Sequence, residues 1–148
     1  MPPSHSSTRK PKTSESHPLR IDYVTISEGG RVGMTFCPGK KQQHSMSGPW
    51  DRDLLADLQV ISEWGAAALV TLIEDHEFTE MAVTDLEDQT ENLGIDWYHL
   101  SIQDVSIPDS RFENQWSYAG HRLRELLREG RNIVLHCKGG LGRTGIVA

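Results

Sequence analysis

The sequence predicts an α/β domain with a mostly parallel central sheet and helices on both faces, and three observations predict it. Two continuous apolar runs, residues 66–73 and 133–135, have the composition of strands covered on both sides. Two stretches with apolar residues at helical spacing, 51–64 and 112–129, directly precede those runs. Gly65 and Gly130 separate each helix from the strand that follows. Strands alternating with helices imply right-handed crossovers and a site at the carboxyl ends of the strands.

Residues 1–20 carry prolines 2, 3, 11 and 18, five serines and the basic residues Arg9, Lys10, Lys12 and Arg20 against the single acid Glu15. This composition predicts a flexible tail, with the folded domain over 21–148. Residues 21–26 alternate as a strand does, a Ser-Glu-Gly-Gly turn follows, and 31–36 form a second strand. The Cys-Pro-Gly-Lys-Lys stretch at 37–41 is a loop whose Cys37 reads as structural or incidental. In the helix at 51–64, Leu54, Leu55, Leu58, Ile61 and Trp64 share a face behind an acidic start, before the buried strand at 66–73.

Residues 74–92 are acid-rich with Phe78, Met81, Val83 and Leu86 scattered through them, which predicts one or two short helices stopped by Gly94. A strand at 95–102 places Trp97 and His99 as packing residues. The polar loop at 103–111 then holds two carboxylates, Asp104 and Asp109. The helix at 112–129 carries Trp116, Ala119, Leu123, Leu126 and Leu127 on one face.

The chemistry concentrates at 132–145, Asn-Ile-Val-Leu-His-Cys-Lys-Gly-Gly-Leu-Gly-Arg-Thr-Gly. The apolar run delivers Cys137 to a strand end. Lys138, Gly139, Gly140, Leu141 and Gly142 then form a turn whose glycines let successive backbone N–H groups point at one anion. Arg143 has a planar fork able to hold two phosphate oxygens, at a position where a helix start adds its dipole. A cysteine attacks as its thiolate, and such surroundings lower a thiol pKa from about 8.5 into the range of about 3.5 to 7.5. Thr144 offers a hydroxyl to the sulfur, and His136 fixes the loop from behind. The loops at 103–111 and after His136 meet at one sheet edge, so Asp104 or Asp109 is the candidate acid for a departing alkoxide or phenolate.

The stretch His-Cys-Lys-Gly-Gly-Leu-Gly-Arg-Thr-Gly resembles the signature loop of the cysteine-dependent protein phosphatases, most closely the dual-specificity group. With His-Leu-Ser-Ile-Gln-Asp-Val-Ser-Ile-Pro-Asp at 99–109 and the Phe-Cys-Pro-Gly-Lys turn, the likeness narrows to the cyclin-dependent kinase-associated phosphatase family and its bacterial relatives, over residues 20–148. That resemblance implies a two-step, metal-free hydrolysis of phosphotyrosine or phosphoserine/threonine esters through a phosphocysteine intermediate. In it Cys137 is the nucleophile, Asp104 the general acid, and Arg143 with the loop amides the phosphate clamp. It implies no cofactor. Family members continue past this loop with further helices, so the sequence reads as truncated at its C-terminus.

Two other functions fit parts of the sequence. Lys138 resembles the basic loop of the tensin-like lipid phosphatases, which implies a phosphoinositide substrate, but Leu141 stands where that group repeats a lysine. A phosphate-binding pseudophosphatase or scaffold is the reading from another class, against which stand intact Cys137, Arg143 and Asp104. The net charge of −6 argues against a nucleic-acid or acidic-membrane surface. No apolar run approaches the ~18 residues of a membrane span. Cys37 and Cys137 form neither a metal-ligand spacing nor a disulfide framework, which suits a reducing compartment. The expectation is a soluble, monomeric, cytoplasmic enzyme whose partner is a phosphorylated protein.

Overall fold

The computed structural model of the chain describes residues 10–27, 29–42, 49–101 and 110–138, with the side chains of the last stretch from Ala119 onward. Its elements, in chain order, are β1 (Asp22–Thr25), β2 (Arg31–Thr35), β3 (Lys41–Gln42), β4 (Trp50–Asp51), α1 (Leu54–Trp64), β5 (Ala66–Thr71), α2 (Asp75–Glu80), α3 (Leu86–Asn92), β6 (Asp96–His99), α4 (Ser110–Arg128) and β7 (Asn132–His136). Five strands form one sheet in the order β1-β2-β7-β5-β6. Only the β1–β2 hairpin is antiparallel; β2, β7, β5 and β6 run parallel. The expected α/β class is the class observed.

The sheet separates two apolar cores because successive side chains of a strand point to opposite faces. Leu69, Ile73 and Val134 face one core with Leu58 and Ile61 of α1, Leu86 of α3, and Met81 and Val83. Ala68, Val70, Ile133 and Leu135 face the other, under Ala119, Leu123, Leu126 and Leu127 of α4. The central strands β5 and β7 are buried along almost their whole length, which is why they read as continuous apolar runs.

Local chemistry sets the helix ends. Asp53 caps α1 by accepting the Leu55 N–H at 3.2 Å. Gly65 ends the same helix at φ 97°, a left-handed conformation open to glycine, and returns its N–H to the carbonyls of Ile61 and Ser62. At the start of α2 the Glu77 carboxylate accepts the Glu74 N–H at 2.9 Å.

Two features depart from expectation. Residues 12–19, placed in a flexible tail by composition, lie against the domain. Lys12 exchanges backbone hydrogen bonds with Pro49 and Asp51 at 2.9 and 3.0 Å, and Leu19 is buried in the α1-side core. Backbone pairing and one apolar anchor outweigh a composition that is polar only on average. Residues 1–9 lie outside the described residues. The second departure is the ribbon of β3 and β4, each two residues long and too short to show any periodicity.

Candidate active site

The carboxyl edge of the parallel strands carries three of the residues that the sequence singles out, His136, Cys137 and Lys138. β7 ends at His136, and Cys137 follows it, 2% exposed, in the core beneath α4. The parallel register sets Thr71 of β5 on one side of His136 and Thr35 of β2 on the other. The Leu72 N–H donates to the His136 carbonyl at 3.0 Å, and the Leu100 N–H to the Thr71 carbonyl at 2.9 Å. The chain therefore leaves β5, β6 and β7 at one edge. Asp104 and Asp109 follow β6, and Gly139, Gly140, Leu141, Gly142, Arg143 and Thr144 follow β7. All eight lie outside the described residues.

His136 is fully buried on the face opposite Cys137. Its Nδ1 meets the Cys137 carbonyl at 3.2 Å and its Nε2 meets the Thr71 hydroxyl at 2.8 Å. Trp97 donates its indole N–H to the same hydroxyl at 2.8 Å. His136 thus holds the backbone carbonyl of Cys137. Trp97 and His99 do pack, both against Phe78, and His99 donates Nε2–H to the Ile73 carbonyl at 2.6 Å.

The turn at 36–40 supports the site from the other side. The Lys138 carbonyl accepts from the Cys37 N–H and from the Lys40 ammonium, both at 3.4 Å. Lys40 is 4% exposed, with its ammonium 4.5 Å from the Trp50 ring centre. Burial holds its pKa below the ordinary lysine range, and the neighbouring Cys37 acts in the opposite sense. Cys37 itself is fully buried, and burial pushes its thiol up, away from thiolate character. Its side chain lies in the α1-side core while that of Cys137 lies in the α4-side core. Cys37 is thus a residue of the α1-side core.

A buried ion pair holds this turn. Arg52 donates Nε–H and Nη2–H to the two oxygens of Asp57 at 2.8 and 3.0 Å, with both side chains at most 1% exposed. Asp57 also accepts the Gly39 N–H at 2.8 Å and the Ser14 hydroxyl at 2.8 Å. Gly39 has φ 72°, and a Cβ there would stand 2.6 Å from Leu54, so the turn takes only glycine. The sequence reading missed Lys40, Arg52, Asp57 and Thr71. Only Lys40 carried a signal, as part of the Phe-Cys-Pro-Gly-Lys turn.

Among the described residues no group of three or more His, Cys, Asp or Glu side chains could hold a metal ion, and no helix is long and apolar enough to cross a membrane.

With this geometry in place, comparison with known proteins is decisive for the family. The model of the DSP-PTPase phosphatases of polymorphic toxin systems matches residues 44–148. The chain belongs to that dual-specificity phosphatase-like family. It is also similar to cyclin-dependent kinase inhibitor 3 of Mus musculus and of Rattus norvegicus, 25% and 26% identical over 146 residues. Those matches cover 97% of the chain, which spans 65% of the length of each relative. Among solved structures, a kinase associated phosphatase with its catalytic-site cysteine replaced by serine shares the fold at a TM-score of 0.75 and 24% identity, covering 88% of this chain and 71% of that one. Tk-PTP in its active form aligns at a TM-score of 0.56 and 26% identity, covering 80% and 64%.

Proposed function

We propose that this chain hydrolyses phosphate monoesters of phosphoproteins in two steps on Cys137. The observation that carries the reading is a cysteine at the carboxyl end of a central parallel strand, in a chain of this family, with its first loop peptides held from both sides. The Cys137 thiolate attacks phosphorus, an S–P bond forms, and the P–O bond to the leaving group breaks as Asp104 protonates the departing oxygen. Asp104 then accepts a proton from water, water attacks phosphorus, and the S–P bond breaks. Arg143 and the amides from Lys138 onward hold the equatorial oxygens, Thr144 eases departure of the sulfur, and His136 supports the loop. Nothing in this scheme needs a cofactor. The names of the cyclin-dependent kinase inhibitors and the kinase associated phosphatase support a phosphoprotein partner. The need for a free thiolate favours a reducing cytoplasm.

The test is an acid quench of the chain during turnover of a labelled phosphopeptide. Label on Cys137, absent from Cys137→Ser, is expected; label on a histidine refutes the scheme. Asp104→Asn is expected to slow expulsion of an alkyl leaving group about 10²- to 10⁴-fold and a nitrophenolate much less. That signature in Asp109→Asn alone moves the acid to Asp109.

A further inference from the structure

Beneath the nucleophile's strand lies a chain of side chains from three adjacent strands. Trp97 belongs to β6, Thr71 to β5 and His136 to β7, and Thr71 and His136 are fully buried. The links are Trp97 Nε1 to Thr71 Oγ1 at 2.8 Å, Thr71 Oγ1 to His136 Nε2 at 2.8 Å, and His136 Nδ1 to the Cys137 carbonyl oxygen at 3.2 Å. Each end is chemically one-way. An indole N–H only donates and a carbonyl oxygen only accepts. The proton facing the Cys137 carbonyl therefore sits on Nδ1, and in a neutral ring Nε2 is then an acceptor. The Thr71 hydroxyl fills that role, accepting from Trp97 and donating to Nε2.

From this arrangement we infer that Thr71 and Trp97 are positioning residues for the reaction at Cys137: they fix His136 as its Nδ1–H tautomer and so lock the peptide plane between Cys137 and Lys138. A trans peptide is planar, so its C=O and N–H point in opposite directions. Tying the Cys137 carbonyl to the imidazole beneath the sheet edge turns the Lys138 N–H the other way, away from the His136 ring. The other tautomer would set a lone pair against the carbonyl oxygen and release that plane. The inference rests on Cys137 as nucleophile for its functional meaning, but the tautomer does not.

The hydrogen bonds decide what each substitution does. Thr71→Val keeps the shape and removes the hydroxyl that links Trp97 to His136, so the indole N–H and Nε2 both lose the oxygen they share. Thr71→Ser keeps the hydroxyl. Trp97→Phe removes the donor that occupies the outer lone pair of Thr71 and leaves the hydroxyl free to reorient.

The experiment reads the ¹⁵N resonances of the His136 ring in the whole chain, assigned by their absence from His136→Gln, together with the alkylation rate of Cys137 by iodoacetamide at pH 7, with Cys137 and Cys37 peptides separated by mass. The expected result is an Nδ1–H ring in wild type and in Thr71→Ser. In Thr71→Val the ring loses that preference, and alkylation of Cys137 slows about fivefold, the factor one hydrogen bond of ordinary strength is worth. Trp97→Phe shifts both readouts in the same direction by less. An Nε2–H ring in wild type overturns the inference, as does a doubly protonated ring with Thr71 accepting from both neighbours. Wild-type values of both readouts in Thr71→Val overturn it too. If Thr71→Val does not fold, the wild-type ring and Trp97→Phe still decide. Neither readout requires turnover, so a chain without phosphatase activity but with the predicted tautomer would refute the proposed function and leave this inference standing.

Discussion

Replacing Asp57 by alanine tests how the turn beside Cys137 is held. The substitution removes a carboxylate that accepts four hydrogen bonds: two from Arg52, at 2.8 and 3.0 Å, one from the Gly39 N–H at 2.8 Å and one from the Ser14 hydroxyl at 2.8 Å. Arg52, with its side chain 0% exposed, keeps the Thr13 carbonyl at 3.2 Å and the ring faces of Phe36 and Trp50. Removing one partner of a buried ion pair costs about 3–5 kcal/mol, because the other charge stays buried. The orphaned Gly39 N–H adds a share of the roughly 1–3 kcal/mol of an unmet buried donor. These costs overlap, and about 4 kcal/mol is expected. At a urea slope of about 2 kcal/mol per molar, this is a fall of about 2 M in the unfolding midpoint followed by tryptophan fluorescence. Arg52→Met with Asp57→Leu removes both charges and recovers the ion-pair part but not the Gly39 hydrogen bond, so about 1–3 kcal/mol remains lost. A cost below about 1 kcal/mol for Asp57→Ala refutes the reasoning, and a double variant as stable as wild type refutes the part assigned to Gly39.

Two further predictions concern the turn's own titratable groups. Cys37 is expected to resist iodoacetamide while the protein is folded and to react in urea; its modification in the native state would contradict its burial in the α1-side core. Its raised thiol keeps its proton in the folded state, so once the unfolded thiol ionises above about pH 8.5 the folded state binds more protons and stability falls. Cys37→Ala should remove that fall. Lys40 has the opposite sign: its lowered pKa makes the folded state release its proton first, so stability rises as pH climbs from that lowered value into the ordinary lysine range. Lys40→Met is expected to abolish the rise and to be no less stable than wild type at neutral pH, and a variant that keeps the rise assigns it to another group.

How much of this was legible depends on whether a residue's partners are near it in the chain. The strands Ala66–Thr71 and Asn132–His136 and the helix Leu54–Trp64 announce themselves, the strands as continuous apolar runs and the helix by its spacing, with Gly65 and Gly130 marking the boundaries. The β3–β4 ribbon does not, since two residues per strand carry no period. Arg52 and Asp57 look like a solvated helix start; their partners include Thr13 and Ser14, in a segment whose own composition argues for a free tail. Cys137 is legible because an apolar run and three loop glycines stand beside it. The turn that holds the Lys138 carbonyl is separated from it by about a hundred residues of chain, with Lys40 and Lys138 themselves 98 apart.

Thr71 is the instructive omission. Within Ala-Ala-Ala-Leu-Val-Thr-Leu-Ile it reads as one more β-branched residue filling a strand. Yet a hydroxyl in a run buried on both faces has no water to meet, and an unpaired one costs about 1–3 kcal/mol. A parallel sheet offers it only the neighbouring strands at the same height. Once β5 is set beside β7 in the observed register, Thr71 stands opposite His136, the only other residue in these two strands with a polar side chain at the carboxyl end. On the other side, β6 brings Trp97 within hydrogen-bonding distance. The sequence therefore held the demand, a buried hydroxyl at the end of a strand, but not the register that meets it. The same reasoning applies to His136: a buried ring with two nitrogens needs two partners, and where they stand decides which nitrogen faces the backbone of Cys137.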